Sequence, residues 1–158
     1  MSIDPSNQGR VYGPYTYALG VEKMREFAYA IAGSVPMLGI GVPPADLDPI
    51  FYDQEKARTG PYGEVIAFPS FAVTFAMAPF GAAIGDPALG IDLVRLVHGE
   101  QELEFPEVMR PNDVMTTTGK IVEITAKKSL DFMTIASESV NQHGRVAVRG
   151  RWTAVIRN

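Results

Sequence analysis

The sequence predicts an α+β fold in which a curved antiparallel sheet of about five strands wraps around a central apolar helix. Two observations predict this architecture. Residues 71–80 (FAVTFAMAPF) are apolar on every face of a helix, so this helix must be surrounded by other elements. The second half of the chain then contains four strand-like runs separated by turn signals, at residues 93–105, 114–125, 130–140 and 146–157.

Further elements are predicted in the first part of the chain. Apolar residues recur at three- and four-residue spacing over residues 21–31, which predicts an amphipathic helix that ends at Gly33 and Pro36. Residues 15–19 favour a short strand, which follows an irregular arm at residues 1–13. The glycine- and proline-rich residues 33–69 form a long connection that contains one helical turn at 53–58. A connection of this length is typical of a functional loop.

The central helix and the last strand carry the clearest local signals. Ser70 is the predicted N-cap of the helix, and Gly81 and Gly85 are expected beyond its end. In residues 146–157 apolar side chains such as Trp152 alternate with polar ones, which predicts a half-buried antiparallel strand.

The composition predicts one globular domain over residues 1–158. Hydrophobic residues make up 46% of the chain and charged residues 20%, close to the average of soluble domains. The net charge of -4 predicts neither nucleic acid nor an anionic membrane as a partner. The sequence shows no membrane-spanning apolar run and no secretory signal, so we expect a cytoplasmic location. The absence of cysteine excludes disulfides and thiol chemistry.

The most specific motif lies in residues 45–71 (ADLDPIFYDQEKARTGPYGEVIAFPSF). Asp46, Asp48, Pro49 and Ile50 stand at the corresponding positions of a pattern of aspartate, any residue, asparagine, proline and an aliphatic residue. That pattern continues with histidine, whose place Phe51 takes. The downstream part of the pattern, an acidic residue, an alanine and a glycine-rich turn, is matched by Asp53, Glu55, Ala57, Gly60, Gly63, Ile66, Ala67 and Pro69.

Through this motif the chain resembles the MaoC-like (R)-specific enoyl hydratases and (3R)-hydroxyacyl dehydratases. Residues 17–30 and 96–113 are similar to the N-terminal domain of two-domain members and to the non-catalytic subunit of heterodimeric members. The resemblance covers nearly the whole chain. It implies a hot-dog fold and lyase chemistry of fatty acid metabolism, with an acyl thioester as the ligand.

The family's reaction indicates which catalytic groups this chain retains and which group it lacks. An aspartate and a histidine hold the reacting water between them, and backbone amides at the start of the central helix polarise the thioester carbonyl. Asp46 is the positional match of the catalytic aspartate, and the amides near Ser70 and Phe71 match the helix start. Phe51 cannot transfer a proton, although Tyr52 or His98 could substitute for the missing histidine. We therefore expect a chain that is not a self-sufficient hydratase.

The resemblance also implies a ligand site and partners. An apolar groove is expected from Phe51, Pro69, Phe71, Phe75 and Met77. The expected ligand is an acyl-CoA or acyl-carrier thioester, bound without a cofactor. The expected protein partner is a second hot-dog subunit, either a copy of this chain or a catalytic paralogue. The full set of predicted substrate-binding residues is Asp48, Phe51, Pro69, Ser70, Phe71, Phe75 and His98.

Several of these residues also have a purely structural interpretation. An Asp-x-Asp-Pro run such as that of Asp46 and Asp48 is ordinary turn and capping chemistry. His98 can pair with a neighbouring carboxylate on its strand, and His143 lies in a turn where we expect it at the surface. The two histidines have no metal-ligand spacing, so no metal site is predicted.

The C-terminal basic residues leave two interpretations open. They form either a solvated face of the sheet or a site for the phosphates of CoA or of a phosphopantetheine carrier. These residues are Arg145, Arg149, Arg151 and Arg157.

Three functions fit the sequence. The first is an acyl-thioester-binding subunit that works with a catalytic partner. The second is a homodimeric module that binds an acyl-CoA or another apolar ligand without catalysis. The third is a thioesterase in which Asp46, Asp48 or Glu55 activates water.

Overall fold

The protein has a hot-dog fold built on one five-stranded antiparallel sheet, so the predicted α+β architecture is confirmed. The computed structural model describes residues 3–33 and 46–157. The strands follow the order β1-β3-β4-β5-β2 across the sheet. Their bounds are β1 Val11–Ala18, β2 Leu96–Glu104, β3 Val114–Lys127, β4 Leu130–Val140 and β5 Val146–Arg157.

In the described residues, four short α-helices accompany the sheet. They are α1 Val21–Ile31, α2 Gln54–Arg58, α3 Val73–Ala76 and α4 Ala78–Ile84. Within the described parts of the chain, no helix combines the length and the hydropathy needed to cross a membrane. The helix predicted for residues 21–31 is confirmed, and the turn predicted at 53–58 corresponds to α2.

The core lies between the inner face of the sheet and the segment 69–84. Side chains alternate along the central strands, so every second residue is buried over residues 115–121 of β3 and 148–156 of β5. Trp152 is fully buried on β5, and its Nε1 donates a hydrogen bond to Ser137 Oγ at 2.9 Å, which satisfies the polar atom of the indole. The segment 69–84 presents Phe71, Phe75 and Phe80 to this core.

The central helical segment differs from the single helix expected at residues 71–80. It begins with a 3-10 turn, Pro69–Ala72, continues as α3 and then, after Met77, as α4. Pro79 explains the break, because proline has no amide hydrogen to donate to the preceding turn. The segment is also longer than predicted, so Ser70 lies inside the first turn rather than at its N-cap, and Gly81 lies within α4.

Two other boundaries differ from the sequence prediction. The expected arm at residues 1–13 overlaps β1, which begins at Val11, and the preceding residues pack on the sheet. Ile3 is buried, and its amide donates to Asp131 Oδ2 at 3.0 Å. Residues 93–95 form a 3-10 turn, because the Asp92 carboxylate caps the Val94 amide at 3.0 Å and the strand therefore starts at Leu96.

Gly119 is the point of closest approach between the sheet and α4. A Cβ atom at this position would lie 2.4 Å from Pro79 Cβ. We expect Gly119→Ala to lower the free energy of unfolding by about 1–3 kcal/mol, because β3 and α4 would have to separate. Urea unfolding monitored by Trp152 fluorescence measures the change.

Gly81→Ala is the matched control for this variant. No heavy atom lies within 4 Å of a Cβ built at Gly81, which faces solvent on α4. We expect this variant to be stabilised by about 0.5–1 kcal/mol, since alanine favours the helix. Equal effects of the two alanines would contradict the described packing.

Tyr12 links β1 to the segment that follows α4. This contact should make the free energy of unfolding depend on pH in the alkaline range. Its hydroxyl donates to Asp86 Oδ2 at 3.0 Å. Burial and this hydrogen bond raise the pKa of Tyr12 from 10.0 to about 12. The raised pKa means that the neutral phenol is favoured in the folded state. Its contribution is therefore complete below pH 10.0 and is lost as the pH rises to about 12.

The comparison with Tyr12→Phe measures this contribution. The difference in unfolding free energy between the wild type and the variant should shrink as the pH rises from 10.0 to about 12. A difference that stays constant over this range would show that the Tyr12 hydroxyl is not held in its neutral form.

Candidate functional site

Phe51 stands at the end of a 3-10 turn, Pro49–Phe51, at the position where the family pattern has histidine. Asp48 caps this turn, and its Oδ1 accepts a hydrogen bond from the Ile50 amide at 3.0 Å. The half-buried ring of Phe51 packs against Phe68, with 4.9 Å between the ring centroids. An aromatic contact of this kind stabilises the loop against the start of the central segment.

An apolar cavity of about 220 Å³ lies beside Phe51. Two backbone hydrogen bonds hold its walls together: the Ile66 amide donates to Ile50 O at 3.0 Å, and the Ala67 amide donates to Met109 O at 2.9 Å. The cavity therefore forms where the loop meets the connection between β2 and β3. Its lining residues are Ile50, Phe51, Tyr62, Ile66, Ala67, Pro69, Phe105, Glu107, Val108 and Met109.

Two ion pairs involve the polar residues near this cavity. Glu107 lines it, and Glu107 Oε1 lies 3.3 Å from Arg145 Nη1. Arg110 Nη1 lies 2.6 Å from Glu64 Oε1 and also donates to Tyr62 O at 3.1 Å. Tyr62 and Glu107 are thus the ionisable residues that line the cavity, and the Glu107 carboxylate already has a cationic partner.

The aspartates of the motif lie on the exposed side of the loop. Asp46 is exposed and forms no hydrogen bond or ion pair with any residue in the described ranges 3–33 and 46–157. Asp53 caps α2 and accepts hydrogen bonds from the Glu55 and Lys56 amides, each at 3.1 Å. The hydrogen bond from the Lys56 amide lowers the pKa of Asp53. Asp48 and Asp53 therefore perform the capping role that the sequence left open.

The start of the central segment offers fewer free amides than the sequence suggested. The Phe71 amide donates to Phe68 O at 2.8 Å, and Pro69 has no amide hydrogen. Within the described chain, the Ser70 amide has no hydrogen-bond acceptor. The helix start was expected to offer amides near Ser70 and Phe71, and the tight 3-10 turn uses the Phe71 amide internally.

The residues predicted to form one apolar groove do not line a single cavity, but lie in two cavities and in the core. Phe51 and Pro69 line the cavity described above. Phe71 lines a second cavity of about 370 Å³ between α1 and α3. Phe75 is only 2% exposed and stacks on Tyr17 at 5.8 Å, and Met77 packs against the core.

His98 lies apart from the Phe51 cavity. Its ring is 5.2 Å from that of Phe80 and 6.2 Å from that of Trp152, and its Nε2 lies 3.1 Å from the backbone oxygen of Glu100. These contacts favour the structural interpretation of His98. His143 is exposed in the β4–β5 turn, as its sequence context predicted. Among residues 3–33 and 46–157, no cluster of metal-ligating side chains is present.

Of the four C-terminal arginines, Arg149 and Arg151 line one cavity of about 610 Å³ together with Glu102, Glu104 and Glu138, whereas Arg145 and Arg157 do not line it. Arg149 lies 3.2 Å from Glu138 and 3.4 Å from Glu104, and the hydrogen bond with Glu138 raises its pKa. Arg145 is the partner of Glu107. Arg151 and Arg157 have no ion pair within the described ranges. This distribution favours a solvated sheet face.

Some residues of the site could not be found from the sequence. Tyr62, Glu107 and Val108 line the cavity, but only Tyr62 belongs to the recognised motif segment. The other two reach the site because the Ala67 amide pairs with the Met109 carbonyl. The nearest sequence signal is the run of residues 96–113, whose resemblance to the family did not assign individual roles.

Comparisons with known proteins identify the family. Residues 6–149 match the family model described as FAS1-like, dehydratase domain region. A UPF0336 protein of Saccharopolyspora erythraea is 35% identical over 158 residues, which cover 99% of this chain and 93% of that protein.

Two solved structures share the fold. The MaoC-like dehydratase from Rhodospirillum rubrum has 20% sequence identity and a TM-score of 0.66, over 96% of this chain and 92% of that one. The C-terminally truncated HadBC (3R-hydroxyacyl-ACP dehydratase) complex from Mycobacterium tuberculosis has 18% identity and a TM-score of 0.75, over 98% and 99% of the two chains. The chain therefore belongs to the family described as FAS1-like, dehydratase domain region, and it shares its fold with these two dehydratases.

Proposed function

We propose that this chain is the acyl-thioester-binding subunit of an enoyl hydratase or 3-hydroxyacyl dehydratase, and that a second hot-dog subunit supplies the proton-transfer pair. The observation that carries this proposal is the packing of Phe51 on Phe68 at 4.9 Å, at the position where the family has histidine. A phenyl ring at this position has no nitrogen that could accept or donate a proton.

The surroundings of the other candidate acids and bases support the same conclusion. General acid and base groups each contribute typically 10²–10⁴-fold to the rate. Asp46 is exposed, and Asp48 caps the 3-10 turn Pro49–Phe51. His98 packs against Phe80 and does not line the cavity beside Phe51. A complete proton relay within one subunit therefore has no support among the described contacts.

The apolar cavity beside Phe51 supports the binding role. Most of its walls are hydrocarbon, provided by residues such as Ile50, Ile66 and Met109. A buried methylene group contributes about 0.8 kcal/mol, which corresponds to about fourfold in affinity. An acyl chain is the type of ligand whose binding is most strengthened by apolar walls. Glu107 and Tyr62 are the ionisable residues that line the cavity.

The fold of the HadBC dehydratase complex supports the need for a partner. That protein, described as a complex, matches this chain over almost the full length of both. For the present chain a partner with the complete Asp-x-Asn-Pro-x-His pattern would provide the missing acid–base chemistry. The CoA or carrier-protein handle of the thioester would then be shared between the two subunits.

Reconstitution with a catalytic MaoC-type subunit tests the proposal. Hydration of trans-2-enoyl thioesters should require both chains, and Val108→Phe in this chain should lower kcat/KM more for long acyl groups than for short ones. The larger side chain fills the cavity that Val108 lines. Ala88→Phe is the matched control, because Ala88 is exposed in the 3-10 turn Pro87–Leu89 and lines no part of the cavity.

The same experiment distinguishes the alternative function. If this chain binds acyl thioesters equally well with and without the partner, and adds nothing to the partner's turnover, it is a non-catalytic binding module. Equal effects of Val108→Phe and Ala88→Phe on all chain lengths would place the acyl group outside the cavity.

A further inference from the structure

We infer that this chain selects medium-chain acyl groups of up to about ten carbons, because the cavity beside Phe51 holds a tail of about seven carbons and has a floor that cannot recede. The inference rests on the proposed function, since it names the length class of the acyl group for that same cavity. The evidence for it is the exposure of the lining residues, the hydrogen bonds of the floor and the volume of the space.

The cavity has one exposed side and one buried side. Tyr62 and Phe105 line it and are 39% and 40% exposed, so the cavity opens on their side. Ile66, Ala67 and Met109 also line it and are at most 7% exposed, so they form its floor. An acyl tail that enters beside the two aromatic rings therefore points its methyl end towards the floor.

Backbone hydrogen bonds hold the floor of the cavity in place. The Ile66 amide donates to Ile50 O at 3.0 Å. The Ala67 amide donates to Met109 O at 2.9 Å. A longer tail could push the floor back only by breaking these bonds, and leaving a buried donor and acceptor unsatisfied costs more free energy than one buried methylene group contributes. The excess carbons of a long tail would therefore stay in solvent.

The second cavity, between α1 and α3, does not extend this space. The two cavities share no lining residue. Pro69 and Phe71 belong to the same 3-10 turn but line different cavities. The ring of Phe71 is fully buried and packs against that of Phe27, with 5.3 Å between the centroids. Among the described residues, the acyl tail therefore has the volume of one cavity only.

The volume of the cavity sets the number of carbons. It is about 220 Å³, which is below the range of about 300–1,000 Å³ that is typical of sites for drug-sized ligands. A methylene group takes up nearly the volume of a water molecule in the liquid, about 30 Å³, so the cavity holds about seven carbons. The carbonyl carbon C1 and the reacting carbons C2 and C3 must stay outside, where the proton-transfer pair of the second subunit reaches them. The whole acyl group then has about ten carbons.

A series of saturated acyl-CoA ligands, from butanoyl-CoA to hexadecanoyl-CoA, tests the inference. Saturated ligands are not hydrated, so isothermal titration calorimetry measures their binding to this chain, alone and with the catalytic subunit. The affinity should rise by up to about fourfold per added carbon as far as decanoyl-CoA, since each carbon is buried. It should then stay constant or fall, because further carbons find no space.

Two alanine variants locate the limit in this cavity. Val108→Ala removes two carbons from a half-buried residue of its wall, so the affinity should keep rising to about dodecanoyl-CoA. Val114→Ala is the matched control, because Val114 is 37% exposed on β3 and does not line the cavity beside Phe51. This control should keep the limit of the wild type.

An affinity that keeps rising through hexadecanoyl-CoA in the wild type would overturn the inference and leave the proposed function intact. Equal shifts of the limit in the two alanine variants would overturn it as well. The absence of binding at every chain length would instead contradict the proposed function, and the inference with it. The wild-type series decides the question even if Val108→Ala folds poorly.

Discussion

The close packing of the segment 69–84 against the inner face of the sheet is the constraint on which the structure depends. Gly119 allows Pro79 to approach β3 at a distance that no other residue type would permit. On the other side of the segment, Phe80 lies 6.5 Å from the ring of the buried Trp152. This packing fixes the end of the segment at Pro69, and with it the position of Phe68.

The position of Phe68 in turn determines how the preceding loop, which contains Phe51, packs against the central segment. Phe51 packs on Phe68, and the Ile66 and Ala67 amides tie the loop to Ile50 and Met109. These contacts form an apolar cavity beside Phe51, the residue at the histidine position of the family pattern. The proposed function follows from this arrangement, in which an apolar cavity lies beside a phenyl ring and the described side chains form no complete proton relay.

The sequence predicted the sheet well, because alternation along each strand and clear turn signals are local properties. Residues 130–140 and 146–157 form strands with the expected bounds. The central helix was harder to predict, since the effects of Pro79 and of the 3-10 turn at Pro69 depend on how the segment packs. The part of the cavity formed by residues 105–109 was also not predictable, because this segment reaches the motif through the tertiary contact between Ala67 and Met109.

The central claim is that this chain lacks a complete proton-transfer pair, and the most direct test is the hydration of crotonyl-CoA by the purified chain alone. The rate should equal the rate in buffer, and it should not change in Asp46→Ala, because the exposed carboxylate of Asp46 has no imidazole to work with. Turnover above background by the single chain that is abolished in Asp46→Ala would contradict the account.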